Sequence, residues 1–186
     1  MKRRILRLAL LLAAGLAWTA LAAHGDEHES WHPFPSLHPL IVHFPIVLLL
    51  LAAPGQLLAI VRRSAELRFV ALVLVLLGTI GAWLAGGPFH PHTTGLSAAA
   101  KEALRSHDLF ATWTLWLATT GTALKIAEWL PALRAVRALQ WAALLVITAA
   151  AGTVSVTGHH GAVLTHLHGV GPQGKFLEIH VKHKEK

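Results

Sequence analysis

The chain has 186 residues, 54% of them apolar and 13% charged, with a formal net charge of +7. A water-soluble domain of this length shows more charge, and the basic residues sit in short clusters between apolar runs, which disfavours a nucleic-acid surface. With no cysteine, disulfides, iron–sulfur clusters, covalently attached haem and thiolate metal sites are excluded, so any metal must take nitrogen or oxygen ligands.

The first element has the layout of a secretory signal peptide: Lys2, Arg3, Arg4 and Arg7, then an apolar stretch from Leu8 to Ala17, then Ala20-Leu21-Ala22. Residues 1–23 are therefore expected to be a cleaved signal peptide or an N-terminal anchor helix, with His24 emerging outside the membrane. Four apolar segments follow, Leu40–Val61, Phe69–Ala85, Leu109–Leu130 and Val136–Val156. Each is about as long as a helix needs to cross a hydrocarbon layer roughly 30 Å thick. Pro45 and Pro54-Gly55 interrupt the first segment and predict a bent helix. Ser97 reads as an N-cap, opening an alanine-rich helix that merges into the third span.

Arg62, Arg63 and Arg68 flank one short link, and Arg134 and Arg137 flank another, which by the positive-inside rule places both links in the cytoplasm. The stretch from Gly86 to Asp108 and both mature termini then lie outside. Lys175, Lys182, Lys184 and Lys186 fall in the same outer tail, mostly too far from a span to weigh on orientation. The expected architecture is all-α: a transmembrane four-helix bundle within residues 24–171 and a polar tail over 172–186. Small residues, Gly78, Gly81 and Ala85 in the second span and Thr148, Gly152 and Ser155 in the fourth, are candidates for close helix contacts.

All fourteen histidines, His24 to His183, fall in outer segments or at the outer ends of spans. Counted at about 1.5 Å per residue from the inner charges, His43, His90, His107 and His159 come to similar depth. In an up-down-up-down bundle the first and third helices are diagonal, so His43 and His107 are placed to face each other around a cofactor, with His159 as a substitute. His43 lies between Val42 and Phe44, where an unpartnered imidazole is costly, so it is expected to have a partner. His38, His90, His166 and His168 are candidate metal ligands or partners for ligand rings. His24, His28, His180 and His183 belong to solvated tails. Trp31, Trp83 and Trp129 read as interfacial anchors, and Trp113 and Trp116 as candidate walls of a cofactor site.

The run Leu37-His38-Pro39-Leu40-Ile41-Val42-His43-Phe44-Pro45-Ile46 resembles the opening signature of a bacterial membrane family, domain of unknown function 2231. Thr157-Gly158-His159-His160-Gly161-Ala162-Val163-Leu164-Thr165-His166 and His168-Gly169-Val170-Gly171 resemble its closing pattern, and His107 matches a histidine at the start of a helix. The resemblance covers about Ser36 to Gly171. It implies a four-helix domain in the bacterial inner membrane, and a place beside extracytoplasmic cytochrome c or Rieske-type proteins. His160 after His159 departs from the pattern, and Gly158 and Gly161 make a break in the last helix, with a loop folding over the bundle mouth, as reasonable as its continuation.

The leading functional expectation is haem b held by two neutral imidazoles for electron transfer. The alternatives are a non-haem site for zinc, copper or iron, which imidazole also suits, and a structural subunit of a membrane complex. No nucleophile motif, phosphate-cradling loop or paired carboxylate within the spans suggests an enzyme. Gln56, Lys125, Glu128 and Gln140 stand near the inner rim, too few for a continuous ion path.

Overall fold

Four helices account for 79% of the described residues: α1 (His38–Arg62), α2 (Ala65–Gly86), α3 (Ala98–Ala127) and α4 (Arg137–His166). The computed structural model describes residues 36–133, 135–171 and 176; the expected signal peptide or anchor and most of the polar tail lie outside the described residues. Pro39 sits in the first turn of α1, where its missing N–H costs nothing. Pro45 and Pro54 are both carried inside that one continuous helix. Arg63 ends α1 in a left-handed conformation, φ 51°, with its N–H on the Ile60 carbonyl. One residue later Ser64 starts α2, its Oγ accepting from the Leu67 N–H at 3.2 Å. Ser97 caps α3 as expected, accepting from the Ala100 N–H at 3.2 Å.

α1, α2 and α4 are long and apolar enough to cross a membrane. α3 is less apolar because it carries a run of threonines, but their hydroxyls are largely spent on their own helix. Thr112, Thr114 and Thr119 donate to the carbonyls of Asp108, Phe110 and Leu115 at 2.7–2.8 Å. Internal satisfaction of this kind makes hydroxyls tolerable in lipid. α3 also absorbs the alanine-rich outer stretch into a single 30-residue helix.

α1 packs on α2 and α4, and α3 on α4 and α2, leaving α1/α3 and α2/α4 as diagonals. The core is built from small and medium side chains, Leu49, Ala52, Val75, Ala118, Ala143, Ile147, Ala150 and Val154. Leu40, Val61, Leu109, Trp116 and Leu145 instead point outward, each more than half exposed. A soluble bundle would bury its largest apolar residues. Small residues inside and large apolar ones outside is the pattern of helices solvated by lipid, where close backbone approach drives association. The chain is thus an all-α transmembrane four-helix bundle.

The small residues of α2 do mark a contact. A Cβ on Gly81 would lie 3.0 Å from Pro45 Cδ, and one on Gly78 would lie 2.9 Å from Leu49 Cδ2. Those of α4 do not. Thr148, Gly152 and Ser155 are exposed, and the buried stripe is Ala143, Ile147, Ala150, Ala151 and Val154. Since α4 is apolar around much of its circumference, composition alone does not choose the stripe that packs. Gly81→Ala is expected to cost about 1–3 kcal/mol, because the Pro45 ring has no rotamer with which to yield. Gly152→Ala, with nothing within 4 Å of the new methyl, should be neutral or slightly stabilising. Unfolding of both variants in detergent, followed by helicity, checks the contrast.

α4 does not break at Gly158 or Gly161 but runs on to His166. Each glycine admits a neighbour: a Cβ on Gly158 would meet Ile46 at 3.7 Å, and one on Gly161 would meet the His107 ring at 3.5 Å. No loop folds over the mouth in the segment up to His166.

Candidate functional site

The two ends of the bundle differ in chemistry. One collects Arg62, Arg63, Arg68 and Arg137; the other collects His38 at the start of α1, His90 and His92 after α2, His107 near the start of α3, and His159, His160 and His166 late in α4.

At the histidine end, two rings are held by backbone carbonyls of other helices. His38 Nδ1 donates to the Ala85 carbonyl at 3.1 Å, and His107 Nδ1 donates to the Thr157 carbonyl at 3.0 Å. A carbonyl oxygen only accepts, so the proton sits on Nδ1, and in the neutral ring Nε2 keeps its lone pair. Outer hydrogen bonds of this kind are how metal-binding histidines are oriented and fixed in one tautomer. Both rings are half-buried, and His38 stands within electrostatic reach of His90 and His107.

His90 lies edge-on to His38, ring centroids 5.9 Å apart, and its Nε2 is 3.8 Å from Asp108 Oδ1. His92 lies edge-on to His90 at 6.4 Å. On α4, His160 stacks on Phe110 of α3 with centroids 5.7 Å apart, and lies within electrostatic reach of His107. Neighbouring residues on a helix point about 100° apart. When His160 turns toward α3, His159 turns to the exposed side.

Of the expected cofactor ligands, His107 is in this cluster, while His43 and His159 are exposed. His43 has its partner within its own helix, Nδ1 donating to the Pro39 carbonyl. His38 and His43 are five residues apart, about 140° around the helix, so only one of them can turn inward. Of the expected metal residues, His38 and His90 come together; His166 is exposed near the end of α4, and His168 is half-buried beyond it. Among the described residues, no three of the histidine, aspartate and glutamate side chains are close enough to hold one ion. Trp113 and Trp116 face outward, 55% and 60% exposed. Asp108 and His160 were not among the candidates. The acidic residue next to His107 was the available signal for the first.

Asp108 raises the pKa of His90 above its ordinary 6.5, against the opposing effect of partial burial. The sign follows from linkage: a histidine whose folded pKa is raised contributes stability that is complete below about 6.5 and is lost as pH climbs through the folded value. Asp108→Asn should remove that dependence, which a pH series of thermal unfolding from 5.5 to 8 would register.

At the arginine end lies a second polar group that the rim residues did not announce as a unit. Lys125 Nζ donates to Gln56 Oε1 and to Glu128 Oε2, both at 2.7 Å; Gln56 Nε2 donates to Glu128 Oε1 and to the Gln140 carbonyl, both at 3.1 Å. Lys125 and Gln56 are fully buried and Glu128 nearly so. The spacing of Lys125 and Glu128, one helical turn, was the available clue.

Residues 34–174 match the family described as predicted membrane protein, DUF2231. The chain belongs to this family. The match covers all four helices and both histidine-bearing motifs, and agrees with the lipid-facing surface of the bundle. No curated protein and no solved structure matches the chain.

Proposed function

We propose that the histidine end of the bundle binds a transition-metal cofactor through neutral imidazoles, with haem b for electron transfer as the first reading. One observation carries it: His107 gives Nδ1–H to the Thr157 carbonyl of another helix and so keeps Nε2 for a ligand bond, while His38 on the diagonal helix is held by Ala85, with a second backbone contact at Phe89. Two imidazoles from facing helices suffice for a bis-histidine haem, and the surrounding apolar helices and outer hydrogen bonds would tune its potential. The chain would relay electrons rather than transform a substrate.

The arginine clusters support an orientation with the histidine end outside the bacterial inner membrane. An extracytoplasmic cytochrome c or Rieske-type protein is the matching class of partner. A second reading, a non-haem zinc, copper or iron site, draws on His90, whose ring lies edge-on to His38 and whose Nε2 is 3.8 Å from Asp108.

The test is the absorption spectrum and metal content of the full chain purified from haem-supplied membranes. A Soret band with sharp α and β bands on reduction is the expected result. Colourless protein with stoichiometric zinc, copper or iron selects the second reading. Protein with neither overturns both and leaves a structural subunit.

A further inference from the structure

The arginine end holds a cavity of about 350 Å³ whose lining includes Arg63, Arg68, Arg137 and Gln140, with Ala59 and Ile60 on an apolar wall. The three arginines come from three places in the fold, the residue that ends α1, the first turns of α2 and the first residue of α4, and Arg68 has a further interaction of its own. No carboxylate lines it among the described residues. Glu128, the buried acid at this end, has both oxygens engaged by Lys125 and Gln56. Positive charge near a membrane surface explains why arginines are present here, but not why they converge on one hollow.

Two backbone features add to the convergence. Arg63 occupies the left-handed position that commonly ends a helix, where glycine is the usual residue. The residue before α4 is Val136, whose side chain makes no cap hydrogen bond, so the cap residue does not offset the partial positive charge of that helix terminus at Arg137.

We propose that this cavity binds a phosphate-bearing anion, from either a phospholipid headgroup or free phosphate. Guanidinium forks match phosphate oxygens in pairs, a helix start adds N–H donors, and basic hollows between membrane helices are suited to anionic headgroups. The volume accommodates a phosphate with its glycerol linkage, within the usual range of small-ligand sites, roughly 300–1,000 Å³. The apolar wall is where the first methylenes of a lipid would lie. This proposal is independent of any cofactor at the opposite end.

The experiment is thermal unfolding of the purified full chain in a neutral detergent, titrated separately with phosphatidylglycerol, phosphatidylcholine and inorganic phosphate. Saturable stabilisation by phosphatidylglycerol, and not by phosphatidylcholine, is expected. If inorganic phosphate also stabilises, the anion can be free phosphate; if only phosphatidylglycerol does, the lipid headgroup is the ligand. Arg137→Gln, at an exposed helix start, should raise the half-saturating concentration about tenfold, and Arg137→Lys less. Arg63→Gln combined with Arg137→Gln should abolish the shift while helicity is unchanged. Equal response to both lipids with none to inorganic phosphate, or a full shift in Arg137→Gln, would overturn the proposal.

Discussion

Lys125→Ala is expected to destabilise the bundle by about 3–5 kcal/mol, the usual loss when one member of a buried ion pair is removed. The ammonium is the centre of a closed set of contacts among α1, α3 and α4: it donates to Gln56 and Glu128, Gln56 donates to the other oxygen of Glu128, and the remaining Gln56 N–H reaches the Gln140 carbonyl. Without Lys125, the Glu128 carboxylate keeps only the Gln56 amide, and the Gln56 carbonyl oxygen has no donor, in a place from which water is excluded. Lys125→Met combined with Glu128→Gln removes both charges together and should recover most of the loss, so the two substitutions are strongly non-additive. Helicity during unfolding in mixed micelles measures both. A Lys125→Ala protein within about 1 kcal/mol of the parent would mean that the buried set contributes no more than an ordinary surface ion pair.

The second large effect is at the opposite end. Under the cofactor proposal, His107→Ala should abolish cofactor binding almost entirely while leaving the four helices inserted. His107 lies against α4 because Gly161 gives it room, and its Nδ1–H on the Thr157 carbonyl directs Nε2 away from that helix. His38→Ala should have the same consequence, since Ala85 of α2 orients it in the same way. His43→Ala and His166→Ala are the contrasts, both residues being exposed. Addition of free imidazole to His107→Gly should restore part of the lost absorption, an outcome that a merely structural role for His107 does not produce. Retention of full occupancy in both His107→Ala and His38→Ala would end the cofactor reading at this site.

Much of this architecture was legible in the residues one by one. Apolar runs of spanning length, Ser97 ahead of an alanine-rich stretch, and arginines at one set of links with histidines at the other are local features. Hydropathy, capping and charge bias act on a segment before it meets any neighbour. They determined four helices, the membrane as solvent and the gathering of imidazoles at one end. The tertiary structure alone decided which of those imidazoles meet. His38 rather than His43, and His160 rather than His159, turn toward the neighbouring helices; α4 packs through Ala143, Ile147 and Val154 rather than through Thr148, Gly152 and Ser155; and Gln56, Lys125 and Glu128 close on one another. The physical reason is rotation about the helix axis. A helix that is apolar nearly all round gives lipid and protein almost equal claim to each face, so its angle is set by how small residues and ring shapes fit the helices beside it.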